Sequence, residues 1–267
     1  MGRFVHFFRQ AVAPIALLAF VLIAWEVTTV VGKIPRYLLP APTAVVSAAA
    51  EDWRQLTAAT CRTAAAAACG FGLSLVIGTL AGCVFSQSRV IRSSFYPYAI
   101  FLQTVPMIAI APLIVIWFGY GFQSVVVVSF VISLFPVLAN ATAGLTAIDP
   151  DLFELFRLYR ATRWQVLLKL RLPHAVPYLL AGAKTAAGLA VIGAIVGEFF
   201  AGHGTQQFGL GYLVLQGKDQ LKLPMLFAAV AASTLLGVLV FGTVSIVGAT
   251  VLRRTCIRYS ARNDRNR

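Results

Sequence analysis

Long apolar runs dominate the chain, and short polar segments separate them. Six of the runs reach the length that an α-helix needs to cross the hydrocarbon core of a bilayer, which is about 20 residues. They cover approximately residues 11–31, 63–85, 95–118, 122–147, 176–201 and 223–252. The pattern indicates no second domain. It therefore predicts that residues 1–267 form one transmembrane domain, an all-α polytopic membrane helical bundle of about six spans.

The composition excludes a water-soluble globule. Hydrophobic residues make up 59% of the chain, charged residues 12%, and the mean hydropathy is +0.83. Soluble domains carry about 25% charged residues, which are needed to cover their surface. The net charge of +13 could indicate nucleic-acid binding. However, the basic residues lie in short loops and a tail between apolar runs. The chain is therefore predicted to contact membrane lipid and not nucleic acid.

The basic residues also predict the orientation. Fifteen Lys and Arg residues lie in the two terminal segments and in residues 86–94 and 149–173, against five in the other loops. Basic loops remain on the cytoplasmic side of a membrane. Both termini and the segment 149–173 are therefore predicted to be cytoplasmic.

Residues 149–173 have the signals of two short helices. Asp149 is a good N-cap, and Pro150 suits the first helical position. Thr162 and Gln165 have the spacing of a capping box, which predicts a second start. We expect the second helix to end before Leu172–Pro173, because proline disfavours helix in the residue before it.

The first of these helices is amphipathic, and its role has three interpretations. It could lie on anionic lipid, it could be a solvated charged face, or it could be a docking surface for a cytoplasmic protein. Two separately capped helices favour the docking surface. The apolar and the polar positions fall on different sides of the helical wheel: Leu152, Leu155, Phe156 and Tyr159 on one, Glu154, Arg157 and Arg160 on another.

An acid lies inside the fifth apolar run, near its outer end. Glu198 is costly to bury there, which makes it a candidate group of a gate or pathway. The alternative is an interfacial acid satisfied by backbone or water. Glu26, near the outer end of the first run, is predicted to be interfacial.

Prolines interrupt the third run. Pro97, Pro106 and Pro112 would kink or break a helix, and Gln103 and Thr104 lie beside Pro106. Freed backbone groups are tolerated where they face protein or a water-lined path. Gln103, Thr104 and Pro106 are therefore candidate pathway residues, although kinks that only aid packing would explain the prolines equally well.

Two glycine pairs and a glycine-rich loop complete the pattern. Gly78 with Gly82 and Gly193 with Gly197 have the GxxxG spacing of close helix–helix contacts, which could include a dimer interface. The loop "AGHGTQQFGLGYL", residues 201–213, could be a gate, a protein contact or a plain surface turn.

The sequence offers no catalytic or metal-binding pattern. A GxxxxGK[ST] phosphate loop is absent, because Gly32-Lys33 and Gly217-Lys218 both lack the rest of the motif. The three histidines fall on opposite sides of the predicted membrane. The chain is therefore predicted to be no enzyme, with no metal and no cofactor of its own.

The segment 149–173 resembles the "EAA" loop of ABC-transporter permease subunits. Glu154-Leu155-Phe156 stands at the Glu-Ala-Ala element, Arg160 at the family's glycine, and Leu172-Pro173 at the last element. Four further stretches are similar to the nitrate, sulfonate and taurine branch, which also includes pyrimidine-precursor permeases. These are "LPAPTAV" at 39–45, "VPMIAIAPLIVIWFGYG" at 105–121, "VIGAIVGEFFAG" at 191–202 and "GLGYL" at 209–213.

The resemblance implies a function and a set of partners. The chain would be a subunit of an ATP-driven importer in the bacterial inner membrane, paired with a second permease copy in a homodimer. A separate subunit would bind and hydrolyse ATP, and a periplasmic binding protein would deliver nitrate, a sulfonate, taurine or a pyrimidine vitamin precursor. The alternative is a stand-alone secondary transporter or channel, which would not co-purify with an ATPase.

The resemblance also assigns a coupling loop that docks on the ATPase. Its residues would be Glu154, Leu155, Phe156, Arg157, Tyr159, Arg160, Thr162, Leu172 and Pro173. Arg160 departs from the family pattern, in which a glycine at this position would allow a positive φ in the turn. Either this turn has another conformation or it tolerates strain.

Overall fold

The chain folds into helices throughout the part that the structure, a computed structural model, describes. This part covers the backbone of residues 2–202 and 209–264 and the side chains of residues 12–202 and 209–253. The helices are α1 (Gly2–Val31), α2 (Pro42–Glu51), α3 (Trp53–Gln87), α4 (Arg89–Thr104), α5 (Met107–Phe118), α6 (Phe122–Thr146), α7 (Pro150–Leu158), α8 (Arg163–Val166), a π-helical segment (Leu167–Arg171), α9 (Leu172–Ala201), α10 (Leu210–Asp219) and α11 (Leu223–Asp264).

Five helical stretches in the described residues are long and apolar enough to cross a membrane. They are the greater parts of α1 and α11, the whole of α3 and α6, and the continuous helix Arg163–Ala201; α4 and α5 together would make a sixth. The predicted all-α membrane bundle of about six spans is therefore confirmed. Below, "outer end" means the end of this bundle opposite the loop 149–173.

The third predicted span is two helices rather than one. α4 and α5 meet at an angle of 99°, and the break falls at Val105 and Pro106. Val105 is extended, with φ −72° and ψ 126°, as expected for a residue that precedes proline. Pro97 and Pro112, in contrast, lie within α4 and α5. Of the three prolines, only Pro106 therefore separates two helices.

α6 is the central helix, packed between α3 and α9. A Cβ atom on Gly78 of α3 would lie 2.9 Å from Val137 Cγ1, and one on Gly193 of α9 would lie 2.7 Å from Ser129 Cα. The Ser129 hydroxyl also donates a hydrogen bond of 2.8 Å to the Ala190 carbonyl of α9. The prediction that the GxxxG pairs mark helix contacts is confirmed, and these contacts lie within the chain.

Both predicted helix starts in the loop 149–173 are confirmed. The Asp149 side chain accepts a hydrogen bond of 3.0 Å from the Asp151 N–H, and Pro150 is the first residue of α7. Thr162 and Gln165 form the capping box: the Thr162 N–H donates to Gln165 Oε1 at 2.8 Å, and the Gln165 N–H donates to Thr162 Oγ1 at 3.3 Å.

The predicted end of the second loop helix is wrong. The helix does not stop before Leu172–Pro173 but continues through the π-helical segment into α9. The Leu172 N–H donates to the Leu167 carbonyl five residues earlier, and Leu172 is helical with φ −64° and ψ −45°. The wider π turn accommodates Pro173, which has no N–H to donate and would crowd the preceding turn of a regular α-helix.

The turn between α7 and α8 keeps a strained residue. Arg160 has φ 50°, a value that favours glycine. The Arg160 N–H donates to the Arg157 carbonyl and the Ala161 N–H to the Phe156 carbonyl, both at 3.0 Å. These two bonds form a Schellman motif, which requires a left-handed residue at this position. Of the two alternatives for Arg160, the turn therefore has the glycine-like conformation and tolerates the strain.

Candidate functional site

The carboxylate of Glu198 is buried at the outer end of α9, with 5% of the residue exposed. Oε2 accepts a hydrogen bond of 2.7 Å from the Gly211 N–H of α10. Oε1 lies 2.8 Å from the hydroxyl of Thr63 on α3. One side chain therefore connects three helices.

Thr63 is the second member of this network. Its hydroxyl has one proton, which faces Glu198 Oε1 at 2.8 Å and the Ala59 carbonyl at 3.1 Å. The shorter contact with a charged acceptor is the stronger hydrogen bond. Thr63 Oγ1 in turn accepts a bond of 2.9 Å from the Leu210 N–H. We call Thr63, Glu198, Leu210 and Gly211 the Glu198 clamp.

The glycines of "GLGYL" allow this close approach. A Cβ atom on Gly209 would collide with the Glu198 carboxylate, and one on Gly211 would lie 2.9 Å from Glu198 Cβ. Leu210 and Gly211 are the first two residues of α10, whose N–H groups have no partner within the helix. The carboxylate satisfies one of them and places negative charge at the positive end of the helix. Residues 203–208 of the predicted loop lie outside the described residues.

Glu26 makes a similar contact at the same end of the bundle. Its Oε2 accepts a bond of 3.1 Å from the Thr43 N–H, and its Oε1 accepts one of 2.8 Å from the Thr43 hydroxyl. Thr43 is the second residue of α2, as Gly211 is of α10. Glu26 is half-buried, whereas Glu198 is buried. We call this pair the Glu26 cap.

The other pathway candidates lie apart from Glu198. Gln103, Thr104 and Pro106 are exposed at the break between α4 and α5. Gln103 lines a cavity of about 550 Å³ that is bounded by α4, α6 and α9. On α9 the cavity reaches Leu189, nine residues before Glu198 and hence about 13 Å along the helix. The structure therefore separates the predicted pathway residues into two places.

The lining of this cavity is mostly apolar and rich in aromatic rings. Phe85, Phe95, Tyr98 and Phe135 contribute to it, and the polar side-chain groups are those of Tyr98 and Gln103. No charged residue lines it in the described part of the chain.

Most predicted coupling residues are exposed. Glu154, Leu155, Arg157, Tyr159 and Arg160 are exposed on α7 and its end, and Tyr159 has 81% of its surface accessible. Thr162 and Pro173 are also exposed, and Phe156 is half-buried. Leu172 differs, because it packs inward against a cluster of Leu145, Leu167 and Ala175.

Sequence reasoning identified Glu198 but not the residues around it. The sequence pattern assigns no role to Thr63, Leu210 or Gly211, although Leu210 and Gly211 belong to the motif "GLGYL". A buried acid needs hydrogen-bond donors, and a threonine in an apolar run can supply one. This need for donors limits the possible partners of Glu198 to the polar residues of the spans, but it does not single out Thr63.

Comparison with known proteins identifies the family. The chain belongs to the binding-protein-dependent transport system inner membrane component family, whose model matches residues 74–255. It is thus a multi-pass inner-membrane permease of a binding-protein-dependent ABC importer, a class that works with an ATPase and a binding protein. ATP hydrolysis is not the chemistry of this component.

Three relatives show how closely the chain resembles named members. It is 33% identical to the formylaminopyrimidine transport permease protein ThiX of Halalkalibacterium halodurans, covering 88% of this chain and 92% of that protein. It is 32% identical to the riboflavin transport system permease protein RibX of Chloroflexus aurantiacus, covering 93% and 90%. It is 30% identical to the putative aliphatic sulfonates transport permease protein SsuC of Bacillus subtilis, covering 89% and 86%.

A solved structure shares the fold. A chain of the MetNI methionine ABC transporter, described in inward-facing conformations, superposes with a TM-score of 0.64. The match covers 77% of this chain and 98% of that chain at 19% sequence identity, so it concerns the fold alone.

Proposed function

We propose that this permease docks on its ATPase through α7 and passes the resulting movement along α9 to the outer end of the bundle. Two copies of the chain would form the pathway. The observation that carries the proposal is the exposed face of α7 on a firmly built loop. Leu155, Leu158 and Tyr159 have 45%, 81% and 81% of their surface accessible. Beside them, Glu154 and Arg157 supply exposed charges.

The loop is attached to the bundle, which would let it transmit force. Arg171 lies with its Cζ atom 5.8 Å from the centre of the Phe153 ring of α7. α8, the π-helical segment and α9 then form one helix of 39 residues, from Arg163 to Ala201. At 1.5 Å per residue this helix is about 58 Å long. A displacement at the α7–α8 turn would therefore reach the Glu198 clamp through a single continuous element.

The cavity beside Gln103 is the proposed passage for the solute, and its lining bears on the solute class. Aromatic rings and a glutamine suit an uncharged heteroaromatic ring, which can stack and accept hydrogen bonds. An anion such as nitrate or a sulfonate would lack a cationic partner there. Among the candidate solutes we therefore place pyrimidine precursors first and nitrate, taurine and other sulfonates after them. The names of the relatives ThiX and RibX point to the same kind of ring.

Uptake by the complete importer tests the solute class. The expected result is that an unlabelled formylaminopyrimidine competes with uptake of its labelled form, while taurine and nitrate at the same concentration do not. Competition by taurine or nitrate alone would assign the permease to a sulfonate or to nitrate.

Docking is tested by Glu154→Lys. A charge-assisted contact at an interface is worth about 1.5–3 kcal/mol, so its loss weakens docking by about tenfold or more. The ATPase subunit retained on the purified permease and the solute-stimulated ATP hydrolysis should both fall. Glu51→Lys, the same change at an exposed acid at the outer end, is the control. Wild-type values for Glu154→Lys would make Glu154 a solvated surface charge.

The same proposal places the loop 149–173 and both termini in the cytoplasm. A single cysteine at position 163 in a cysteine-free chain should react with an impermeant reagent only after the membrane is opened. Labelling of that cysteine in intact cells would reverse the orientation.

A further inference from the structure

A cavity at the loop end of the bundle is lined by three arginines. It has a volume of about 420 Å³, and its lining includes Arg89 and Arg92 of α4 and Arg171 of the π-helical segment. Small-molecule sites fall within about 300–1,000 Å³. None of the three arginines forms an ion pair with an acid within the described residues. The lining therefore carries three positive charges and no acidic side chain among the described residues.

Arg171 is held in place but incompletely bonded. Its Nη1 donates to the Ser86 carbonyl at the end of α3, and its guanidinium lies over the Phe153 ring. Its Nε is buried and has no hydrogen-bond partner. A buried donor on a cation is costly to leave unpaired.

The start of α4 adds to the positive potential. α4 begins at Arg89, which lines the cavity, and no acid lies in its first turn. The N-terminal end of a helix carries partial positive charge, so α4 favours an anion here, whereas the start of α7 at Pro150 is already capped by the Asp149 carboxylate. Gln87 in the lining can donate further hydrogen bonds.

The surroundings of Arg92 connect this cavity to the apolar flank of α4. A second cavity of about 360 Å³ shares Arg92 and Thr146 and continues along Tyr96 and Pro97. Beyond it, Phe95 and Tyr98 have 59% and 68% of their surface accessible. A charged head group at the arginines would thus have an apolar path beside it for an acyl chain.

We propose that this cavity binds a phosphate group. Several arginines match the oxygens of a phosphate through paired N–H donors. The group can come from the head of an anionic phospholipid or from free phosphate, and basic pockets between membrane helices suit lipid heads. Binding would hold α3, α4 and α7 together at the end of the bundle where the ATPase is proposed to dock. The site does not depend on which solute is transported.

The test measures two probes on the purified full-length chain. Native mass spectrometry follows phosphatidylglycerol retained from vesicles that contain phosphatidylcholine and phosphatidylglycerol. Equilibrium dialysis follows labelled inorganic phosphate. The variants are Arg92→Gln and the double variant Arg89→Gln, Arg92→Gln, since Arg171 also bonds to Ser86 and its loss could disturb folding. Lys169→Gln, an exposed cation two residues from Arg171 that does not line the cavity, is the control.

We expect affinity for at least one probe to fall about fivefold for each arginine removed, and to stay unchanged in the control. If inorganic phosphate displaces phosphatidylglycerol from the wild-type chain, the site accepts free phosphate; if only the lipid binds, the lipid head is the ligand. Equal binding of both probes by the wild type and the double variant would overturn the proposal. It would also be overturned if the variants bound both probes like the wild type but retained less of the ATPase subunit in the complete importer, because the cavity would then receive an acidic side chain of that partner.

Discussion

Two glutamates at the outer end of the bundle each cap the start of a short helix, but their surroundings differ. Glu26 on α1 and Glu198 on α9 each accept a backbone hydrogen bond from the second residue of a short helix, Thr43 of α2 and Gly211 of α10. In each case the other carboxylate oxygen meets a threonine hydroxyl.

The two contacts differ in where the hydroxyl comes from. Thr43 supplies it from the capped helix itself, 17 residues along the chain from Glu26. Thr63 supplies it from another helix, 135 residues from Glu198, in a buried position. The Glu26 cap is therefore a local contact that water can replace. The Glu198 clamp is a junction of α3, α9 and α10 from which no group can be removed without leaving a buried partner unpaired.

The largest difference should appear when the carboxylates are removed. Glu198→Ala leaves the buried Gly211 N–H unpaired and turns the Thr63 hydroxyl to the longer bond with the Ala59 carbonyl, so it should lower the free energy of unfolding by about 3 kcal/mol. Glu26→Ala should cost about 0.5–1 kcal/mol, as for a helix cap that water reaches. Thermal unfolding of the detergent-solubilised protein measures both. Equal losses would show that the two contacts are equivalent and that burial does not separate them.

Removal of the threonine hydroxyls should give the next largest difference in stability between the two contacts. Thr63→Val keeps the side-chain shape but leaves the Leu210 N–H and the Glu198 carboxylate short of a partner. We expect a loss of about 2 kcal/mol. Thr43→Val retains the backbone bond to Glu26 at an exposed position, and its effect should remain within about 0.5 kcal/mol. The same unfolding measurement applies, and a harmless Thr63→Val would remove Thr63 from the clamp.

Transport should also distinguish the two glutamates. In Glu198→Gln the amide oxygen can keep the Gly211 N–H, while the NH₂ group donates to Thr63 Oγ1 and the Thr63 proton turns to the Ala59 carbonyl. We expect uptake to fall about tenfold, since a neutral amide accepts a weaker hydrogen bond than a carboxylate does. Glu26→Gln should transport normally at the same amount of protein in the membrane. Near-normal uptake by both variants would limit Glu198 to a structural role.

The smallest effects on stability are expected just after the ends of α1 and α10, and they should be similar at the two places. α1 ends at Val31 and α10 at Asp219, and the residue two positions after each end has a positive φ: 50° at Lys33 and 56° at Leu221. Each residue is at the left-handed position of a Schellman motif, closed by the bonds Ile34 N–H to Thr29 O at 3.1 Å and Lys222 N–H to Gly217 O at 2.8 Å. Lys33→Gly and Leu221→Gly should each raise the free energy of unfolding by about 0.5–1 kcal/mol. A gain at only one position would show that the backbone strain at Lys33 and at Leu221 is not equivalent.

Local signals in the sequence determined a large part of this protein. Continuous apolar runs predicted the spans, because a chain in lipid must satisfy its backbone bonds within each helix. Asp149 with Pro150 and Thr162 with Gln165 predicted the loop helices, because a cap involves residues two or three apart. The glycine pairs predicted close packing, because a missing Cβ permits it whatever the partner helix is.

Only the tertiary structure decided the contacts between distant segments. The π-helical segment was not predictable from Pro173, because its cost depends on how Leu167 and Leu172 pack into the bundle. The pairing of Glu198 with Thr63 and the meeting of Arg92 with Arg171 join residues from different helices. The sequence shows that a buried acid needs donors and that a cation needs an acceptor. Which groups meet that need depends on the rotation and depth of each helix, and those are set by the packing of α3, α6 and α9 against one another.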